Sequence, residues 1–340
     1  MKHKTVALLF GGKSNEYEIS LCTAAAIYRH LLAAGWRVLP LGITREGVWY
    51  LFQGTPSSIE DGSWETSPAL YRILFGSQGA FFTEEGRAFR PDAVFPAVHG
   101  RFCEDGRLQG LLDLWGVPYV GCGVESSVLC MNKCLSKRLV QEAGLPTLPW
   151  VEIKDPAQGE AEIRKRLSFP VFIKPARSGS SLGAGRAEDN NALQSVLTHA
   201  LETDPLALAE PCVTARELEV AVAELGGALT VSQPGEVVPN AAFYDFDTKY
   251  RSSRATLRIP APLDGGLAEQ ARRLAAEIFR LLGCRHLARI DFFLLDGALY
   301  FNEINTLPGF TPISMYPRLM EHAGLPPARL LDALLCEVAQ

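Results

Sequence analysis

The chain has 340 residues and a mass near 37.1 kDa, enough for two or three domains and too much for a lone small module. Apolar residues make up 47% and charged residues 21%, the profile of a globular protein rather than a disordered or fibrous one. With 33 basic against 38 acidic residues the formal charge is −5, which lacks the basic excess of a phosphate-backbone binder and excludes nucleic acid as the main partner.

The first predicted element is a strand at residues 6–10. Behind Met1-Lys2-His3-Lys4 this run imitates a signal peptide, but it is too short and ends in Gly11-Gly12 with Glu16 and Glu18 close behind. A helix over 20–34 and strands over 38–43 and 92–98 follow, an alternation that implies a parallel sheet covered by helices. Residues 108–115 read as a helix ended by Gly116, and 117–121 as a strand leading out of a first domain. Next come a helix over 132–143 stopped by Gly144, a strand over 170–174, the glycine-rich connection 178–185 and a strand over 206–210. The alternating stretch 217–223 opens the remainder, with a helix over 267–282 and a hairpin of 289–295 and 298–303 across Asp296-Gly297. Residues 238–262 show no sustained periodicity, and a loop that long inside a compact domain has the character of a functional lid. No uncharged apolar run approaches the roughly 18–20 residues of a membrane span, so a soluble protein is expected. The eight cysteines contain no C-x-x-C pair; zinc is not expected, and most are read as small buried side chains in a reducing cytosol.

Small residues after Lys174 let backbone N–H groups approach a polyphosphate, and the lysine supplies positive charge. Taken alone, the segment also reads as a flexible surface loop. Neither a Walker spacing nor a dinucleotide fingerprint occurs: the position five before Gly12 is Ala7, where the first glycine of a phosphate loop would stand. On the hairpin, Asp291, Glu303 and Asn305 offer the hard oxygen ligands that magnesium takes when it also holds substrate phosphates. Period two puts Arg289 on the face of Asp291, where a permanent cation suits an anionic substrate or a developing oxyanion. A solvated polar sheet face is the alternative, against which stand Ile290, Phe292, Phe293, Leu294, Phe301 and Ile304. The segment 10–20 lies at the carboxyl end of the first strand, where open α/β sheets bind ligands. There Ser20 and Glu18 read as helix-start residues, whereas Glu16 suits a ligand ammonium. His99, after the strand ending at Val98, is similarly placed.

Together these pieces resemble the D-alanine:D-alanine ligases of the ATP-grasp superfamily. The resemblance runs from about residue 6 to residue 316. It rests on FGGKSNEYEIS from Phe10, PAVHGRFCEDGRLQG from Pro96, MNK at Met131, FIKPARSGSSLG from Phe172, FYDFDTKY from Phe243, RIDFF from Arg289 and NEINTLPGFT from Asn302.

The resemblance implies a fold of α/β and α+β parts, with an N-terminal Rossmann-like, parallel-sheet (pre-ATP-grasp) domain at 1–121. A two-domain ATP-grasp fold follows, central at 122–213 and C-terminal and catalytic at 214–340. It implies ATP contacts from Lys133, Lys174 and Ser181, with Glu210, Val213 and Glu217 at adenine and ribose, and two magnesium ions, or manganese, on Asp291, Glu303 and Asn305. Glu16 would grip the ammonium of the first D-alanine with His99 nearby, and Ser180 and Tyr250 would join Glu16 in a set tying the lid to the first domain. Lys249 would meet the transferred phosphate, Arg289 and the Gly309 N–H would stabilise the oxyanion, and Ser314, Met315 and Tyr244 would contact substrate. The implied activity is ATP-dependent joining of two D-alanines through a D-alanyl phosphate for peptidoglycan, by a cytoplasmic homodimer with small-molecule substrates and neither nucleic-acid nor membrane partner.

Tyr17 stands where many members carry His or Arg and is also found in ligases that accept D-serine, and Thr311-Pro312-Ile313-Ser314 replaces the commoner Ser-His before that serine. Met315 matches the D-alanine enzymes, and Tyr250 in place of histidine argues against the D-lactate-adding relatives. The alternatives are a D-alanine:D-serine ligase of the same fold, a non-catalytic nucleotide- or D-alanine-binding relative, and a glutathione-synthetase-like ligase. The intact metal set argues against the second, and Glu16, Ser180 and Tyr250 against the third.

Overall fold

The computed structural model describes residues 4–239 and 255–339. Its first sheet holds β1 (Thr5–Gly11), β2 (Arg37–Ile43), β3 (Trp49–Phe52), β4 (Leu70–Phe75), β5 (Phe81–Thr83), β6 (Ala88–Phe89) and β7 (Ala93–Pro96), in the order β6-β5-β4-β3-β2-β1-β7. β1 runs parallel to β2 and β7, and the remaining pairs are antiparallel. β1 is a continuous apolar run because both its faces are covered: Val6, Leu8 and Phe10 enter one core and Ala7 and Leu9 another. The helices of this part are α1 (Tyr17–Ala33), α2 (Pro56–Glu60) and α3 (Arg107–Trp115), the last closed by Gly116 as expected. The strand expected at 117–121 is a single bridge between Val94 and Tyr119, in which the Val94 N–H donates to the Pro118 carbonyl and the Val120 N–H to the Val94 carbonyl; Pro118 has no N–H with which to extend the ladder.

Two helices, α4 (Val124–Met131) and α5 (Lys133–Glu142), lead to a four-stranded antiparallel sheet. It consists of β8 (Val151–Ile153), β9 (Val171–Pro175), β10 (Gly185–Ala187) and β11 (Ala207–Pro211) in the order β10-β9-β11-β8, backed by α6 (Pro156–Arg166) and α7 (Asn190–Thr203).

The third sheet comprises β12 (Arg216–Leu225), β13 (Ala228–Val231), β14 (Gly235–Pro239), β15 (Ala255–Arg258), β16 (Leu287–Leu295) and β17 (Ala298–Asn305). Its order is β15-β14-β12-β16-β17, with β13 on β12. Asp296 (φ 51°) and Gly297 (φ 79°) make the left-handed turn expected between β16 and β17. Helix α8 (Gly265–Leu281) begins at Asp264, whose side chain accepts from the Leu267 N–H at 2.8 Å, and it packs Leu274, Ile278 and Phe279 against Phe292 and Phe301. Burying each phenylalanine contributes about 1.5–3 kcal/mol, enough to fix the hairpin against the helix. Helices α9 (Met315–His322) and α10 (Pro327–Val338) close the chain against α1.

The loop expected over 238–262 is bounded more tightly than its sequence indicates, since its ends pair as β14 and β15. Tyr244, Lys249 and Tyr250 lie outside the described residues. Among the described residues no helix is long and apolar enough to cross a membrane.

Candidate active site

The loop from β1 to α1 ends at Glu16. Ser20, expected to cap α1, does something else: its buried hydroxyl accepts from the Gly11 N–H at 2.8 Å and donates to the Ala97 carbonyl at 2.7 Å, clamping the ends of β1 and β7 together. Glu16 accepts a hydrogen bond from the Ser180 hydroxyl, which reaches it from the glycine-rich connection. The backbone closes tightly round this carboxylate: a Cβ at Gly100 (φ +77°) or at Gly179 would run into Glu16 Oε2. Ser180 and Ser181 both hold left-handed φ values, 51° and 58°, unusual for non-glycine residues and a feature of functional loops. A cleft of about 300 Å³ opens here, lined by Ser14, Glu16, Arg101, Ser178 and Ser180 among others.

His99 follows β7 and is buried, with Nε2 2.8 Å from Thr23 Oγ1 on α1 and the Leu307 backbone beside it. Burial holds its pKa down to about 4, so the ring is neutral at physiological pH. Glu104 is buried too and accepts from the Gly100 N–H at 2.5 Å; burial and then the nearby Glu16 raise it well above the usual carboxylate range. Gly309 packs against Ser314 and Thr23, while the Ser314 hydroxyl lies 2.8 Å from that of Thr311 and accepts from its N–H at 3.1 Å. His99, Gly309 and Ser314 are thus together.

Met315 and Tyr17 both turn their side chains inward. Met315 opens α9 with its side chain in the core, against Gly235 and 4% exposed, because the apolar face of that helix turns inward. Tyr17 is buried, its ring under the Arg45 guanidinium, and its hydroxyl donates to Glu65. Burial and that carboxylate raise its pKa, so it belongs to the packing of the first sheet.

Asn132 caps α5 by accepting from the N–H groups of Cys134 (3.1 Å) and Leu135 (3.3 Å), which sets Lys133 at the first helical position. Lys133 Nζ donates to the Ser178 carbonyl at 2.8 Å and lies 3.2 Å from Glu303. On β9, Lys174 Nζ lies 2.6 Å from Glu210 Oε1 and donates to Asn302 Oδ1 at 3.0 Å. Glu210 is fully buried; burial alone would raise its pKa, but Lys137 and Lys174 outweigh it and hold the carboxyl at about 2. Its side chain is therefore taken up by ion pairs with Lys137 and Lys174. Val213 and Glu217 are half-buried at the entry to β12.

Across β16 and β17, Asp291 pairs in register with Glu303 and Arg289 with Asn305. Arg289 donates to both Asp291 oxygens, at 2.8 and 2.7 Å, and lies 2.9 Å from Glu219 on β12. Asn305 accepts from the Leu307 N–H at 3.1 Å. Among the described residues no three carboxylate, histidine or cysteine side chains converge as a ready cation cage. Two carboxylates and an amide on adjacent strands nevertheless suit magnesium, which keeps much of its shell for water and phosphate oxygens.

The comparisons with known proteins bear on this geometry. The profile of the D-ala D-ala ligase N-terminus matches residues 5–122 and that of the D-ala D-ala ligase C-terminus residues 139–336. The chain belongs to the D-alanine–D-alanine ligase family. It is 43% identical to the D-alanine–D-alanine ligase of Chlorobium phaeovibrioides over 98% of its own length and 97% of that protein's, and 42% identical to that of Thermoanaerobacter sp. strain X514 over 98% and 96%. Among solved structures, the VanG D-Ala:D-Ser ligase of Enterococcus faecalis superposes with a TM-score of 0.90 at 34% identity, covering 99% of this chain and all of that one. The D-alanine–D-alanine ligase of Coxiella burnetii superposes at 0.86 with 31% identity, covering 99% and 95%. The fold is that of the ATP-grasp D-alanine–D-alanine ligases.

Lys137, Glu219, Glu104 and Thr23 are site neighbours that sequence reasoning passes over. Lys137 stands four residues after Lys133 and Glu219 two after Glu217, so helical and strand periods could have placed them. Glu104 lies within the PAVHGRFCEDGRLQG segment, whereas Thr23 carries no such signal.

Proposed function

We propose that this chain joins two D-alanine molecules, using ATP and magnesium, through a D-alanyl phosphate. What carries the reading is the grouping of charge: an acid on the first sheet's loop, lysines beside the central sheet and Arg289 with Asp291 and Glu303 on the third. A carboxylate is a poor electrophile. ATP phosphorylates that of the first D-alanine, and the amine of the second attacks the acyl phosphate, forming the peptide bond as phosphate leaves.

In this reading Glu16, fixed by Ser180, takes the ammonium of the first D-alanine. Lys133 and Lys174 attract ATP phosphates, and adenine contact near Glu210 falls to backbone groups and to Val213, with Glu217 toward the ribose and Ser181 over the phosphates. Arg289 and the Gly309 N–H face the oxyanion, and Ser314 the second substrate. Asp291, Glu303 and Asn305 would hold magnesium or manganese, which supplies charge neutralisation between phosphate oxygens. Lys249, Tyr244 and Tyr250 keep their roles on resemblance alone. Domain limits near residues 121 and 213, a homodimer and a cytoplasmic site in peptidoglycan synthesis belong to the same proposal. The D-serine alternative is supported by the likeness to the VanG ligase and by the Thr311-Pro312-Ile313-Ser314 segment.

The test is phosphate release from the purified protein with ATP, magnesium and D-alanine, with and without excess D-serine, products being identified by mass. D-alanyl-D-alanine as the main product supports the reading, D-alanyl-D-serine shifts the second substrate, and no D-alanine-dependent phosphate overturns it.

A further inference from the structure

We propose that Lys137 is a positioning residue for nucleotide binding: it balances Glu210 so that the charge of Lys174 stays available to phosphate. This rests on the reading above, in which Lys174 meets ATP. The Lys137 side chain is 0% exposed, against 11% for both Lys133 and Lys174, so it cannot touch a ligand itself. It lies one helical turn after Lys133 on α5, on the same face, with Nζ 3.0 Å from Glu210 Oε2 and donating to the Phe301 carbonyl at 3.2 Å. Glu210 divides its oxygens between two ammonium groups, Oε2 toward Lys137 and Oε1 toward Lys174 at 2.6 Å. Two cations share one anion here, which leaves one positive charge unbalanced within the trio.

Phe301 immediately precedes Asn302 and Glu303, and Asn302 is where Lys174 donates its other bond. Lys137 therefore ties β11 and β17 together behind the phosphate-facing lysines. Without it, Glu210 would have one counter-ion, would neutralise Lys174 fully and would draw its ammonium inward. A buried carboxylate losing one of two partners clings to the other, because desolvation makes an unpaired charge costly.

The test is a double-mutant cycle of Lys137→Met and Glu210→Gln, with steady-state KM for ATP, KM for D-alanine and kcat, and with ADP titrations on the same proteins. Lys137→Met should raise KM for ATP and weaken ADP binding tenfold or more while moving KM for D-alanine little. In the Glu210→Gln background, the same change should have no further effect on either nucleotide quantity. That arm holds even if the single variant folds poorly, since the double variant removes both buried charges. An unchanged KM for ATP in Lys137→Met, or a loss of equal size in both backgrounds, would overturn the proposal, because packing alone does not depend on the charge at 210. If the wild-type protein shows no D-alanine-dependent phosphate release, the ligase reading fails, and the ADP titrations still decide the role of Lys137.

Discussion

Replacing His99 by Gln tests whether the buried imidazole is held neutral between Thr23 and the Leu307 backbone. Folding lowers its pKa from 6.5 to about 4. Above 6.5 neither state carries the proton and linkage contributes nothing; between the two values the unfolded chain binds a proton that the folded chain refuses. The wild type therefore loses stability as pH falls through that window. With these values the loss is about 2 kcal/mol at pH 5 relative to pH 7.5, tending to about 3.4 kcal/mol below both pKa values. Glu104, raised in the folded state, contributes a slope of opposite sign, so a wild-type profile alone would mislead. The difference between wild type and His99→Gln removes the terms common to both proteins, and Gln retains an amide that can reach the same partners. Urea unfolding followed by tryptophan fluorescence at each pH gives both free energies. A difference that narrows by about 2 kcal/mol from pH 7.5 to 5 is expected; one that stays flat would show that His99 titrates normally and that its burial is not maintained in solution.

Arg289→Ala should lower kcat by on the order of 10² to 10³, the scale of losing one oxyanion donor, and Arg289→Lys should restore little because it cannot reproduce the two-pronged contact. Asp291→Asn should raise the magnesium concentration for half-maximal phosphate release tenfold or more, on the order seen even for residues that only orient metal ligands. Ser180→Ala removes a hydroxyl bonded to the Glu16 carboxylate and should raise KM for the first D-alanine about tenfold, from a hydrogen bond to a charged group. Tyr17→His should leave the D-alanine to D-serine product ratio unchanged while lowering the melting temperature, since the Tyr17 hydroxyl is engaged by Glu65; a shifted ratio would show that this residue influences the second substrate.

The legible parts of the chain are those where local chemistry decides the structure. The β16–β17 hairpin follows from an Asp-Gly turn between apolar strands, and Asn132 with Gly144 brackets α5 within a residue or two. Strands β3 to β6 escape notice because they are short and pack by tertiary contact, Phe75 on Trp115 and Phe81 on Phe89, with too few residues for a period to emerge. At the site, residue type and spacing mark Glu16, Lys174, Arg289 and Asp291. They say nothing of where a side chain is spent. Glu210 and Lys137 look like ordinary surface charges on a strand and a helix, and only the packing of α5 against β11 and β17 buries them together. Tyr17 and Met315 follow directly on Glu16 and Ser314 yet face the core, because one residue along a helix start turns a side chain by 100°.

The ion pairs also explain how so much charge is tolerated in one place. Arg289 is matched by Asp291 and Glu219 and Lys133 by Glu303, while Lys174 shares Glu210 with Lys137. Each pair spans two elements, except that of Arg289 with Asp291, so the charges to which the proposed function gives roles also hold the sheets in register. Buried pairs of this kind add little net stability, since desolvation offsets their attraction, but removing one partner is costly. An anion brought alone would have to displace a carboxylate from Lys133 or Arg289, and a cation brought alone would strip either of its counter-charge. Phosphate and divalent cation arriving together exchange both sets of partners at once and leave no charge uncompensated. Under the proposed function, the pairing would therefore favour the metal complex of ATP over either component as the species that binds.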